Sequence, residues 1–264
     1  MNRTSTPSRR TRTALVVAAA AGLLSACSAS AGEQADQVGD QPGVIKVEVR
    51  DEGVADHDIP LATVPRIVTV TMAEDATSDQ VLAVFGAYDD QIDEGDVISV
   101  EVTLSGPRAA TLASGEGVHV TEEGVADLLD AQHDPAVVTY RRDDVPTGPG
   151  VSVELTPTDF AGVVARADRY RDEAGLDAVS VTSGDLVLVR DRVNEEPRVT
   201  AAREELVRAL AQRFAVRGAT VTGRGPLRVV VAPQDRAAAR RFVAVAARED
   251  DEPGLGRVVV RAGA

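Results

Sequence analysis

What most constrains the fold of this chain is a recurrence. A short alternating apolar strand leads through a Thr, Asp or Pro junction into an amphipathic helix, then an acidic or glycine turn and another strand. Three copies are clear, from Ile67 to Val102, from Val151 to Val181 and from Leu227 to Val260. In the first, Val68 and Val70 alternate with Thr69 and Thr71, and Thr77-Ser78-Asp79-Gln80 reads as a capping-box start. Val81, Phe85 and Tyr88 then share one helical face, Asp93-Glu94-Gly95-Asp96 stops the helix, and Val97-Ile98-Ser99-Val100 begins the next strand. In the second, Thr158 or Asp159 caps a stripe of Phe160, Val163, Val164, Ala167 and Tyr170. In the third, Pro233 follows Val229 to Val231, and Ala239, Phe242, Val243 and Ala246 share a face. Two further copies fill the gaps. One runs from Val118-His119-Val120 through Leu128 to Val137-Val138, the other from Leu186 through Leu206, Leu210 and Phe214 to Val221.

In order, the elements read βαββαβ from Ile67 to Tyr140 and again from Val151 to Val221. That order predicts an α+β chain of tandem ferredoxin-like modules, each a split βαβ sheet with both helices on one face. A C-terminal βαβ extension, Leu227 to Ala264, is expected to pair with an early strand, Val44 to Val49. Pro146, Gly148, Pro149 and Gly150 interrupt everything between residues 142 and 150, which places a linker between modules 44–142 and 151–264. Residues 27–43 are small and polar, with Pro42 and Gly43 at the end, and are expected to be a flexible tether.

The first 27 residues carry an address. Arg3, Arg9, Arg10 and Arg12 form a positive region, followed by an unbroken run of small and apolar residues from Ala14 to Leu24. Eleven residues fall short of the roughly 20 that cross a bilayer as a helix, and suit a secretory signal. Leu24-Ser25-Ala26-Cys27 resembles the lipobox of bacterial lipoproteins, which implies a signal peptide over residues 1–26 and lipidation of Cys27. Cys27 is the only cysteine, and an exported chain normally uses cysteines in pairs unless the thiol is capped. The resemblance implies attachment to the cell membrane on its extracytoplasmic face, because two or more acyl chains hold stably where one does not. The mature part resembles no family. One lysine, Lys46, against 27 arginines reads as a high-GC coding genome of the actinobacterial kind.

Net charge is −14 for the whole chain. Removing residues 1–26 takes away four arginines and no acid, leaving −18. Residues 27–160 hold 27 acids against 6 bases, whereas residues 190–264 hold 15 bases against 10 acids. Such a balance argues against nucleic acid as a partner of the first half. With seven Phe and Tyr and no Trp, the stacking platforms of sugar and single-strand binders are missing.

Catalytic patterns are excluded one by one. The lipobox resemblance commits Cys27 to lipid, Lys46 stands in no S-x-x-K, and neither G-x-S-x-G nor G-x-x-x-x-G-K-[ST] occurs. His57, His119 and His133 lack metal-ligand spacing, and no cofactor is expected. The candidate cation ligands are Asp89, Asp90, Asp93 and Asp96, although Ile92 interrupts the run and the EF-hand spacing is absent. The candidate anion-binding set is Arg236, Arg240 and Arg241, with Arg236 and Arg240 one helical turn apart. The expectation is a lipid-anchored, non-enzymatic interaction or assembly module of the cell envelope with an envelope protein as partner. The alternatives are a small-ligand or cation binder and, last, a hydrolase.

Overall fold

The computed structural model describes residues 31–51, 66–93, 97–115, 118–145, 148–170, 176–192, 197–223, 225–249 and 255–263. The elements are α1 (Ala31–Gly39), β1 (Val44–Asp51), β2 (Arg66–Met72), α2 (Ser78–Gly86), α3 (Asp89–Asp93), β3 (Val97–Leu104) and β4 (Ala109–Gly115). Then come α4 (Glu122–His133), β5 (Val137–Asp144), β6 (Gly150–Leu155), α5 (Phe160–Asp168), β7 (Ala178–Ser183) and β8 (Leu186–Asp191). The chain ends with α6 (Pro197–Ala211), β9 (Val216–Thr222), β10 (Leu227–Val231), α7 (Arg236–Glu249) and β11 (Val258–Ala262).

Local chemistry starts the helices where expected. Thr77 caps α2 in a reciprocal box, with the Thr77 N–H donating to Gln80 Oε1 at 2.9 Å. Thr121 caps α4 and Asp159 caps α5, each accepting from the backbone N–H of a glycine three residues on. Val81, Phe85, Tyr88, Phe160, Val163, Ala167 and Tyr170 are buried, as their spacing predicts.

The eleven strands among the described residues form one sheet whose order follows the chain from β1 to β11. Strands joined through a helix pair in parallel, as in β2–β3, β4–β5, β6–β7, β8–β9 and β10–β11. Strands joined directly pair antiparallel. The fold is thus a mixed α/β array of five adjacent βαβ units preceded by α1 and β1. Paired residues share a face, so registers trace rows across the sheet. Val70, Val102, Leu112, Arg142, Val151, Val179, Arg190 and Val221 form one buried row. Helices α2 and α4 pack together, as do α5 with α6 and α6 with α7, and ion pairs join α4 to α5, so the helices cover this one face.

The structure departs from five expectations. The split pairing of a ferredoxin-like module does not form, because β2 lies directly beside β3 with no strand between them. Element order is shared by both arrangements; only neighbour choice differs. Successive units point in opposite directions while the order advances one way, so helices on a single face require crossovers of alternating hand, against the usual right-handed preference. The early strand pairs with β2, at the opposite end of the sheet from the C-terminal βαβ unit. The strand expected at Val118–Val120 is irregular, and the strand of that unit is β4, whose Ala110, Leu112 and Ser114 face inward. Within the expected tether, residues 31–39 form α1, with Val38 fully buried. Between Asp144 and Gly150, where a linker was expected, the chain joins β5 to β6, antiparallel neighbours in the same sheet.

Candidate interaction surface

Among the described residues, one face of the sheet carries no helix. Lys46, Thr71, Thr103, Thr111, Arg141, Ser152, Ser180, Val189, Thr220, Arg228 and Val259 make one row across all eleven strands on that side. Hydroxyls dominate its centre, with the Thr103 and Thr111 oxygens 3.0 Å apart. Arg141 is held between Glu101 at 2.6 Å and Asp143 at 2.8 Å. Towards the C-terminal end, Val187 and Val230 flank Gly218, and Val189 and Val259 leave part of their surface in water.

Among the described strands, the outer edges of β1 and β11 have no neighbour. On β1, Lys46, Glu48 and Arg50 alternate in sign along the bare face. The Lys46 ammonium lies 2.7 Å from Glu48, and Arg50 donates to Thr69 Oγ1 at 3.2 Å. Lys46 holds the exposed Glu48 carboxyl below its ordinary value through its hydrogen bond and charge. Val47 and Val49 point the other way and pack against the core. A register shift between Val44 and Lys46 leaves Ile45 61% exposed. On β11, Val259 and Arg261 face the bare side, while Val260 is buried towards the helices. A groove of about 410 Å³ runs between β11 and α7, lined by Arg240, Val243, Ala244, Ala247 and Val258 to Val260.

The strongest electrostatics lie under the helices. Arg142 Nε donates to both oxygens of Asp144, at 2.9 and 3.1 Å, and the arginine lies 3.6 Å from Asp127. Gly124 of α4 sits directly above: a Cβ there would meet Arg142 Nε at 3.2 Å. Asp127 and Asp130 also pair with Arg169, and Arg166 pairs with Asp134, so α4 is tied to α5. Between α5 and α6, Asp168 receives Arg190 at 2.6 Å and Arg208 at 2.8 Å, and Arg190 lies 3.1 Å from Glu204. Burial opposes ionisation of Asp168, but hydrogen bonds and charge from Arg208 and Arg190 outweigh it and hold the carboxyl below its ordinary value. Asp134 is lowered in the same way, against its burial, chiefly by Arg166. These carboxylates are neutralised by arginines within the fold, which is the chemistry of helix attachment. Sequence reading passed over them, although Arg142 and Arg190 stand at buried-parity positions beside Tyr140 and Leu188.

Where they are described, the expected site residues fall on two helices, α3 and α7. Asp89 and Asp90 belong to the short helix α3, and Asp89 pairs with His119 Nδ1 at 3.4 Å. The Asp93 side chain and Asp96 lie outside the described residues, as does Cys27. Among the described residues no cluster of three or more His, Cys, Asp or Glu side chains is placed to hold a metal. Arg236, Arg240 and Arg241 are exposed on α7, and Arg240 reaches the groove beside β11. A second groove, of about 490 Å³, opens beside Thr156, Thr158 and Gly162 at the start of α5, but the arginines on its wall, Arg166 and Arg169, already have carboxylate partners. No helix among the described residues is long and apolar enough to cross a membrane. Comparison with protein-family models, with curated proteins and with solved structures finds no match to this chain.

Proposed function

We propose that this chain is a cell-envelope lipoprotein, anchored through Cys27 on the extracytoplasmic face of the membrane, that acts as a non-enzymatic interaction or assembly module. The observation that carries the reading is the sheet itself: among the described residues it has one bare face and two unpaired edges, β1 and β11, while buried arginines of its strands pair with carboxylates of the helices. An exposed edge is a template for strand addition, in which main-chain hydrogen bonds give affinity and alternate side chains give selectivity. The lipobox resemblance at Leu24 to Cys27 supports the anchor.

Cys27→Ser is expected to release the protein from membranes with its melting temperature unchanged. Equal membrane retention of wild type and variant defeats the anchor. In-cell crosslinking of the native chain with quantitative mass spectrometry, using the unanchored variant as control, is expected to enrich a stoichiometric envelope protein. No enrichment above control turns the reading towards a small-ligand or cation binder. That alternative would show as a ligand-dependent rise in melting temperature.

A further inference from the structure

We infer that the partner of the free edges is a second copy of this chain, with β11 of one molecule pairing antiparallel to β1 of the next. The inference rests on the reading of the edges as interaction sites and names their occupant. Inside the chain, every junction between successive βαβ units is already an antiparallel strand pair, at β3–β4, β5–β6, β7–β8 and β9–β10. Because β11 runs opposite to β1 in the sheet, docking β1 of a second copy onto β11 repeats that junction. The helices of both molecules then lie on the same side.

Side chains select one register. With Arg261 opposite Glu48 of the next copy, opposite charges meet on the bare face. On the helix side, Val260 then meets Val49 and Ala262 meets Val47. A slip of two residues in either direction sets Arg261 against Lys46 or Arg50, and a slip of one turns Val260 away from the valines. Pairing of residues 258–262 with 47–51 also stays clear of the irregularity at Ile45. The ends match in charge as well. Residues 31–51 carry five acids against two bases, while Arg236, Arg240, Arg241, Arg257 and Arg261 are exposed at the other end. The groove between α7 and β11 lies on the helix side of that edge, where Val47 and Val49 of the incoming strand would enter. Such a contact is heterologous and does not close on itself, so it builds open chains rather than a sealed dimer.

The test uses the full-length chain in detergent and in membranes. Glu48→Cys together with Arg261→Cys places thiols at opposite ends of the sheet, ten strand spacings or about 48 Å apart, so a disulfide between them is intermolecular. Expected is a ladder of disulfide-linked dimers, trimers and longer species, absent from the parent chain with Cys27 alone and from Lys46→Cys with Arg261→Cys. In sedimentation velocity the wild type is expected to associate with rising concentration. Arg261→Glu is expected to abolish this, and the swap of Glu48→Arg with Arg261→Glu to restore it, which also shows that the variants fold. A monomer at every concentration with no ladder, or a closed dimer that persists in Arg261→Glu, overturns the inference. If the chain does not associate with itself but a crosslinker at residue 48 captures a different envelope protein stoichiometrically, this inference fails and the interaction reading stands. If neither association is found, both fail.

Discussion

Arg142 occupies a strand position that alternation assigns to an apolar side chain, and its surroundings show what that demands. The Arg142 and Asp144 side chains are 7% and 6% exposed, so each charge depends on its ion partners, Arg142 on Asp144 and Asp127, for the solvation it has lost. Removing one partner of a buried pair costs about 3–5 kcal/mol, whereas replacing both by apolar groups of similar volume is often neutral. Arg142→Ala is therefore expected to lower the unfolding free energy by about 3–5 kcal/mol in urea titration, and Arg142→Met with Asp144→Leu to recover most of it. A loss below about 1 kcal/mol in the single variant would mean the pair behaves like an exposed one. Two tyrosines set an alkaline limit. Burial pushes Tyr88 up to about 12, and burial with the nearby charge of Asp127 pushes Tyr170 up to about 12. A phenol whose folded value is raised adds stability that is complete below its unfolded value, near 10, and is lost as pH rises through the folded one. Stability is expected to fall between pH 10 and 12, with tyrosinate absorbance appearing together with unfolding. Ionisation of both near pH 10 in a chain that stays folded would show that they are not sealed from water.

At the level of elements, helix starts and core faces were legible in the sequence because they depend on residues within a few positions of one another. Thr77 with Gln80 fixes the start of α2, and the spacing of Phe160, Val163, Ala167 and Tyr170 fixes the buried stripe of α5 and the turn beyond it. Strand β4 was not legible. Its inward residues, Ala110, Leu112 and Ser114, are mostly small, whereas Val118 and Val120 nearby alternate more strongly yet form no strand. The interaction surface was half legible: the charges of β1 are plain, but that its edge is left free depends on which strands pair. Alternation tells a strand which face to bury and not which neighbour to take. A split module reverses direction across the sheet, so both of its crossovers are right-handed with helices on one face; the sequential order gives up that advantage. The two arrangements differ in a measurable contact. Thr69 and Glu101 are register partners in β2 and β3, at a neighbour spacing suited to a disulfide. Thr69→Cys with Glu101→Cys is expected to oxidise readily, and Thr69→Cys with Ala113→Cys, on β2 and β4, is not. The reverse result would mean that β2 sits beside β4, as in a split sheet.

For the whole molecule, sequential order makes the chain nearly one-dimensional. Among the described residues each strand pairs only with the strands before and after it, and the helices pack chiefly on their own unit and the adjoining ones. Stability then approximates a sum of unit terms and neighbour interfaces, and the two ends, with one neighbour each, are the first to open. The ends also differ in cover. β1 has α1 and the fully buried Val38 against it, while β11 is a five-residue strand whose Val258 and Val259 keep part of their surface in water. Amide exchange in the native state is therefore expected to be slowest in β4 to β8, faster in β1 and β2, and fastest in β10 and β11. Ending the chain at Gly223 would remove β10, α7 and β11 and expose the outer side of β9. Such a chain is expected to stay folded from β1 to β8, with a smaller denaturant slope because less surface is exposed on unfolding. If exchange instead shows one protection value from end to end, and the shortened chain unfolds entirely, the five units act as a single cooperative block. Coupling would then reach past nearest neighbours, through the ion pairs that tie α4 to α5 and α5 to α6. Breaking one of those ties, as in Arg169→Ala, would separate the block into two transitions.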